Sequence, residues 1–276
     1  MRDDFEVGNK FMIEQSEADR IALSFAQICS DAAVVIMDVY QSDFEVRTKD
    51  DKSPVSDADE RAEIIILARL RAEFPDIPVL AEESFSAGVK PDIEDRFILV
   101  DPVDGTKEFI NKNGEFTVNI ALIEGGKPVA GCVYAPAIGK IYVGGTRALF
   151  GACQPGDDVV VDNLTEIQTR APVKGAMTAL MSRSHVDDQT LAFAEQHGVT
   201  ERISAGSSLK FCLLAEGRAD VYPRFGPTME WDTGAGHAVL QAAGGCVLTP
   251  DGDVFVYGKR DAGYLNGFFV AWAVPQ

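Results

Sequence analysis

The sequence predicts an α/β protein with an α+β first half and an α/β second half. Three observations lead there. Two stretches with apolar residues three and four apart precede a run of short apolar segments joined by tight turns. After Gln154-Pro155-Gly156 the pattern changes to strand and helix in alternation, which argues an α/β layer. A length of 276 residues gives both halves enough chain to bury a sizeable shared core. The boundary is therefore set at residues 1–155 and 156–276, with no internal repeat or low-complexity segment.

In the first half, Ser16 opens a long helix, with Asp19 as its capping-box partner. Ile21, Phe25, Ile28, Ala32, Val35, Ile36 and Val39 form its core-facing stripe. A polar, turn-rich loop from Lys49 to Asp59 feeds a second helix, where Ser56 or Asp57 can cap and Glu60 and Glu63 favour the positive end. That helix stops at Phe74-Pro75. Val79 to Ser84 reads as a short strand ending in Glu82 and Glu83. Phe97 to Val100 reads as a buried strand, ended by Pro102, which has no N–H for a ladder. Phe116 to Ile123, Pro128 to Tyr134, Lys140 to Val143 and Ala148 to Phe150 form a meander, and Val159 to Asp162 a further strand.

In the second half, Thr178 to Met181 is a strand, Asp187 to His197 a helix, and Arg202-Ile203 a short strand. Ser207 to Glu216 is a helix with Gly217 at its C-terminal cap, followed by Ala219 to Phe225 as a strand. Glu230 to Leu240 is a helix ended by Gly244-Gly245. Cys246 to Thr249, Val254 to Tyr257 and Phe268 to Trp272 close the sheet.

Charge and composition exclude several functions. With 43 Asp and Glu against 25 Lys and Arg, the formal charge is −18. Such a field repels nucleic acid backbones and anionic membranes, so no polynucleotide partner is expected. It also repels a phosphorylated metabolite unless metal ions and local cations reverse the sign at the site. No apolar run is long enough to span a bilayer. The acidic start, Met1 to Glu6, is unlike a signal peptide. Five scattered cysteines without a C-x-x-C argue against a disulfide framework and a zinc site, and fit a reducing compartment. Cytosol is the default location, with peripheral contact at the inner membrane as the alternative. Oligomeric state is left open.

The chemistry concentrates in Leu99 to Phe109. Asp101 and Asp104, three residues apart at a strand end, can converge on one point, and hard oxygen ligands suit Mg²⁺. The amides of Gly105 and Thr106 open a short helix, where an anion is held. Taken alone, Asp-x-x-Asp-Gly is also an ordinary polar turn, so the neighbouring motifs decide.

The longer string Asp101-Pro102-Val103-Asp104-Gly105-Thr106 resembles the first signature of the inositol monophosphatase-like superfamily of metal-dependent, lithium-sensitive phosphatases. Trp231-Asp232-x-x-x-Gly236 with Ala242-Ala243-Gly244-Gly245 is similar to its second. Ser53-Pro54-Val55-Ser56-Asp57-Ala58-Asp59 and Glu82-Glu83 match the family's upstream stretches, although Ala81 stands where the family usually has glycine. The resemblance runs from about Ser16 to Ala273 and implies a layered α-β-α-β-α sandwich of the inositol monophosphatase and fructose bisphosphatase type. It also implies that Glu82, Asp101, Asp104, Asp232 and the Val103 carbonyl hold two or three Mg²⁺. Asp59 and Thr106, with Glu82, would activate an attacking water. Glu82, Val103, Asp104, Gly105, Thr106 and Asp232 would meet the substrate.

Gly206 to Gly226 looks like the 3′(2′),5′-bisphosphate nucleotidase branch of bacterial sulfur assimilation. Ser207, Lys210 and Arg224 can form a cationic pocket for a second phosphate, Arg224 as a fork and Lys210 as a point charge. The resemblance implies direct hydrolysis of adenosine 3′,5′-bisphosphate with inhibition by Li⁺, high Ca²⁺ or a chelator. Alternatives are an inositol or sugar phosphate phosphatase and, in another class, a non-catalytic divalent-cation regulator.

Overall fold

The computed structural model describes residues 16–42, 57–172, 175–182 and 188–275. Of the predicted loop at Lys49–Asp59, residues 49–56 lie outside the described residues, and Asp57 to Asp59 already form the first turn of a helix. Helix α1 (Glu17–Gln41) starts at Ser16, whose side chain accepts a hydrogen bond from the Asp19 amide. The Asp19 carboxylate reaches further, accepting from the amide and hydroxyl of Thr146. The predicted stripe buries Ile21, Phe25, Ile28, Ala32, Ile36 and Val39. By length and composition alone α1 is long and apolar enough to cross a bilayer, but its apolar face is buried against the rest of the protein. Its alanines raise the mean hydropathy, and its buried face packs on helix α2 (Asp57–Glu73) and the first sheet.

That sheet follows in chain order: β1 (Val79–Ala81), then helix α3 (Glu82–Ser86), β2 (Arg96–Asp104), helix α4 (Thr106–Ile110), β3 (Thr117–Glu124), β4 (Lys127–Ala135), β5 (Lys140–Gly144), β6 (Ala148–Ala152) and β7 (Thr165–Ile167). The strands lie side by side in sequence order. Only β1 and β2 are parallel; the rest form an antiparallel meander. Three local expectations change. Glu82 and Glu83 open α3 instead of ending a strand, so both carboxyls sit at a strand-to-helix corner. Strand β2 does not end at Pro102 but resumes at Asp104. Val159 to Asp162 is not a strand: the Val159 amide goes to the Gln27 side chain, and Val161–Asn163 closes a 3₁₀ turn.

The second sheet comprises β8 (Met177–Ser182), β9 (Val199–Ala205), β10 (Val221–Arg224), β11 (Cys246–Leu248) and β12 (Phe269–Trp272). Its order is β11-β12-β10-β8-β9, with β8 parallel to β9 and β10 and the other pairs antiparallel. Helices α5 (Asp188–Gln196), α6 (Leu209–Ala215) and α7 (Gly234–Ala242) complete this half. The first sheet includes Thr165–Ile167, so the change of sheet falls after Ile167 and not at Gln154–Gly156. Val254 to Tyr257 makes a single bridge to Leu248 and no strand, because the Tyr257 amide crosses to the carbonyl of Gly126 in the β3–β4 turn.

Alternation along the strands builds the layers. Ile98 and Val100 on β2 face α1 and α2, whereas Phe97 and Leu99 face the other way, toward Phe211 of α6 and Val239 of α7. Tyr222, Phe269 and Ala271 of the second sheet meet that same cluster. On the sheet's far side Ala179, Val221 and Val270 pack against Ala194 of α5. The order is thus helices, sheet, helices, sheet, helix: the expected α-β-α-β-α sandwich.

The middle layer is tight at one place. A Cβ on Gly144 of β5 would lie 2.6 Å from the backbone N and Cα of Val239 in α7. Gly144→Ala therefore has to push α7 off the first sheet, and overpacking of this kind costs about 1–3 kcal/mol. The urea midpoint is expected to fall accordingly; an unchanged midpoint would contradict the close approach.

Candidate active site

Local chemistry at Pro102 shapes the acidic corner. Asp101 pairs with Asn119 and Asp104 with Thr117, so three steps on β2 oppose two on β3. One residue is extra, which is a β-bulge. Pro102 carries no N–H to lose from the ladder there. The Val103 amide turns inward and donates to Asp101 Oδ1 at 3.1 Å. Gly105 follows at φ 95°, a left-handed turn that suits glycine, and Thr106 begins α4.

Four elements bring carboxyls to this bulge. Asp101 is fully buried, Asp59 arrives from the first turn of α2, Glu82 from the start of α3, and Asp232 from the turn before α7. Glu230 to Asp232 form turns rather than the predicted helix, and the amide of Met229 donates to Asp232 Oδ2 at 2.8 Å. Asp104 Oδ2 accepts from the Ser208 amide at 2.7 Å and from Asn119 Nδ2 at 3.4 Å.

Two residues that sequence reasoning missed hold the corner together. Ser208 is buried; its amide holds Asp104 while its hydroxyl donates to the carbonyl of Asp232 at 2.7 Å. It joins a residue of the first half to one of the second. Glu63, also buried, accepts from the amides of Glu83 and Ser84 and from the Ser84 hydroxyl, fixing the strand-to-helix turn that presents Glu82. The signal for Glu63 was its place one helical turn after Asp59. Ser208 had only its adjacency to Ser207.

The electrostatics follow from crowding. Burial first, then Asp232, Glu83 and Asp59, push the Glu82 carboxyl well above the usual range. Burial and then Glu82, Asp104 and Asp232 do the same to Asp101, and burial and then Asp104 to Asp232. Glu83 is pushed up to about 7 by burial and by Asp59, Glu63 and Glu60. Glu82 and Asp232 lie close enough to Asp101 for each charge to act on its carboxyl. Carboxyls crowded in this way hold their protons more tightly, and a divalent cation is the group that replaces those protons when the carboxyls ionise. All the donors are oxygens, which is the chemistry of Mg²⁺ rather than of zinc or copper. Among the described residues no three of these carboxyls are drawn together as a ready-made group around one metal ion.

Beside the corner lies an open cleft of about 220 Å³. Asp104, Gly105, Thr106 and Asp232 line one side; Ser207, Lys210 and Arg224 line another. Lys210 Nζ donates to the carbonyl of Ser207 at 2.6 Å and lies 5.4 Å from the Tyr222 ring centre. Burial lowers its pKa to about 8, against the pull of Asp104. Arg224 Nη2 donates to the Pro227 carbonyl at 3.1 Å, while its buried Nε has no protein partner. Lys107, Glu108, Phe211, Tyr222, Thr228 and Thr233 also line the cleft, unforeseen from sequence. All the predicted site residues therefore fall in the corner or the cleft.

The model of the inositol monophosphatase family matches residues 17–268. The 3′(2′),5′-bisphosphate nucleotidase CysQ of Salmonella typhimurium is 46% identical over 246 residues, covering 88% of this chain and 96% of that protein. CysQ of Escherichia coli K12 is 43% identical over 247 residues, 89% and 97% of the two chains. Among solved structures, CysQ from Bacteroides thetaiotaomicron superposes with a TM-score of 0.79 at 37% identity, covering 94% of this chain and 98% of that one. An inositol monophosphatase from Zymomonas mobilis shares the fold, with a TM-score of 0.75 at 22% identity over 94% and 95% of the chains.

The raised carboxyls make stability pH-dependent in a defined direction. Between the ordinary glutamate value of about 4.5 and the raised values, the folded chain binds more protons than the unfolded one. Stability is then full at the acid end of that window and lost as pH rises through it. In a chelator, the melting temperature should fall from about pH 5 to about pH 8, and Mg²⁺ should remove most of the slope. A flat profile in chelator would show that the carboxyls do not crowd.

Proposed function

The chain belongs to the inositol monophosphatase family, and from that premise we propose that it is a Mg²⁺-dependent 3′(2′),5′-bisphosphate nucleotidase, removing the 3′-phosphate of adenosine 3′,5′-bisphosphate to leave AMP. The observation that carries this reading is a single cleft in which the acidic corner meets Lys210 and Arg224. A monophosphate needs only the first of these. A substrate with two phosphates uses both. The names and high identity of the CysQ relatives support the same substrate.

Metal-dependent phosphatase chemistry is general to this family. Glu82, Asp101, Asp104, Asp232 and the Val103 carbonyl would hold the ions, two or three of them. When bound, the ions neutralise phosphate charge and lower the pKa of a water. Asp59, buried close to Glu82 and Asp101, accepts a proton from the attacking water. Thr106 holds that water's other side from the start of α4, and Glu82 orients the group it ligates. The amides of Gly105 and Thr106 donate to phosphate oxygens and steady the charge that develops on them. Water attacks phosphorus directly, with no phosphoenzyme. Ser207, Lys210 and Arg224 bind the phosphate that is kept, and their charge offsets the acidity of the chain as a whole. None of the five cysteines is in a disulfide, which suits the cytoplasm we assign to the enzyme.

A phosphate-release panel tests the reading. Adenosine 3′,5′-bisphosphate should be turned over in Mg²⁺, not in chelator, and far better than inositol 1-phosphate; the reverse preference would overturn it. Asp104→Asn should fold normally and lose roughly three powers of ten or more in kcat, beyond the ~10²–10³ of a single oxyanion-type donor. Lys210→Ala and Arg224→Ala each remove a charge-assisted contact of about 1.5–3 kcal/mol. Each should therefore weaken kcat/KM for the bisphosphate by roughly ten- to hundredfold. For adenosine 3′-monophosphate the loss should be small.

A further inference from the structure

The arch between β9 and α6 sets where Lys210 points. Its ammonium donates to two carbonyls of that arch, Ser207 at 2.6 Å and Ala205 at 3.3 Å. Ser207 itself sits at φ 51°, a left-handed conformation uncommon outside glycine, which persists when surroundings enforce it. The enforcing contacts come from the first half of the chain. Asp104 Oδ2 accepts from the Ser208 amide, and the hydroxyls of Thr117 and Ser207 share a hydrogen bond. The third is Glu115, whose Oε2 accepts from the Gly206 amide at 2.8 Å. Glu115 is not among the residues that line the cleft. It is half-buried in the loop between α4 and β3, where its own amide donates to Asn113 Oδ1. Loop and arch touch closely: a methyl on Gly206 would lie 2.8 Å from the Glu115 carbonyl and 3.0 Å from its Cβ.

We propose that Glu115 is a positioning residue for the retained phosphate, clasping the β9–α6 arch across the two halves so that Lys210 and Ser207 meet that phosphate. The proposal rests on the bisphosphate reading above. The needed property is an acceptor oxygen at that spot: the Glu115 charge favours the Lys210 ammonium but also repels an anion in the pocket, so the two effects of charge oppose each other. Glutamine can supply the oxygen; alanine cannot.

The test compares wild type, Glu115→Ala and Glu115→Gln on adenosine 3′,5′-bisphosphate and on adenosine 3′-monophosphate, with melting temperatures measured alongside. Glu115→Ala should raise KM for the bisphosphate about five- to tenfold, the size of one lost hydrogen bond. Its kcat should stay within about twofold and its monophosphate kinetics near wild type. Glu115→Gln should restore KM to within about threefold. Equal loss on both substrates with a lowered melting temperature would make Glu115 merely structural and overturn the proposal. So would a Gln variant that behaves like Ala, or an Ala variant with a lowered KM, because charge would then be what matters. A wild-type enzyme with no preference for the bisphosphate overturns the reading of the pocket, and the clasp with it. An intact preference that Glu115→Ala leaves untouched overturns the clasp alone.

Discussion

The structure depends on holding carboxyl groups together against their own repulsion. Asp101 is buried completely, and the charges of Glu82, Asp104 and Asp232 all act on it. Nothing in their mutual charge favours this arrangement. It exists because apolar packing elsewhere keeps four separate chain elements from moving apart. Leu99 and Val100 lie immediately before Asp101 and are buried on opposite faces of the first sheet, one against each helical layer. The strand that delivers the acid is thus gripped from both sides. A site strained in this way has a reason to bind cations and anions in sequence, each relieving the charge left by the other.

The halves meet through small, specific contacts as well as through the shared core. Ser208 reaches from the second half to Asp104 and then to the backbone of Asp232. Asn119, opposite Asp101 in the ladder, donates to both Asp104 and Ser208. Glu63 performs the same service within the first half, where its carboxylate satisfies the amides that a helix start leaves open. None of these side chains carries the proposed chemistry. They determine where the groups that do carry it are found.

Much of this was legible in the sequence because the relevant signals are local. Apolar spacing located α1 and α2, and Asp-Pro-Val-Asp-Gly-Thr located the bend. What was not legible depended on long-range partners. The expected strand at Val159 was lost to the Gln27 side chain, a residue 132 positions away. The expected strand at Val254 was lost to the β3–β4 turn. Strand β2 continued past Pro102 because a neighbouring strand tolerated one extra residue there, which proline chemistry alone does not reveal. The roles of Ser208 and Glu63 were missed for the same reason: each matters through what it touches, and the local hints, adjacency to Ser207 and a place one helical turn after Asp59, do not reveal those partners.

Helix α7 lies between the two sheets, with its backbone pressed on Gly144 and the Asp232 turn at its leading end. A lever in that position reports on both of its beds. Exchanges of one aliphatic residue for another in the interior, far from any phosphate, will tilt it slightly and retune the reactivity of the metal corner. Sequence drift inside the sandwich is therefore a route by which such enzymes can diverge in substrate choice while every acidic residue stays the same.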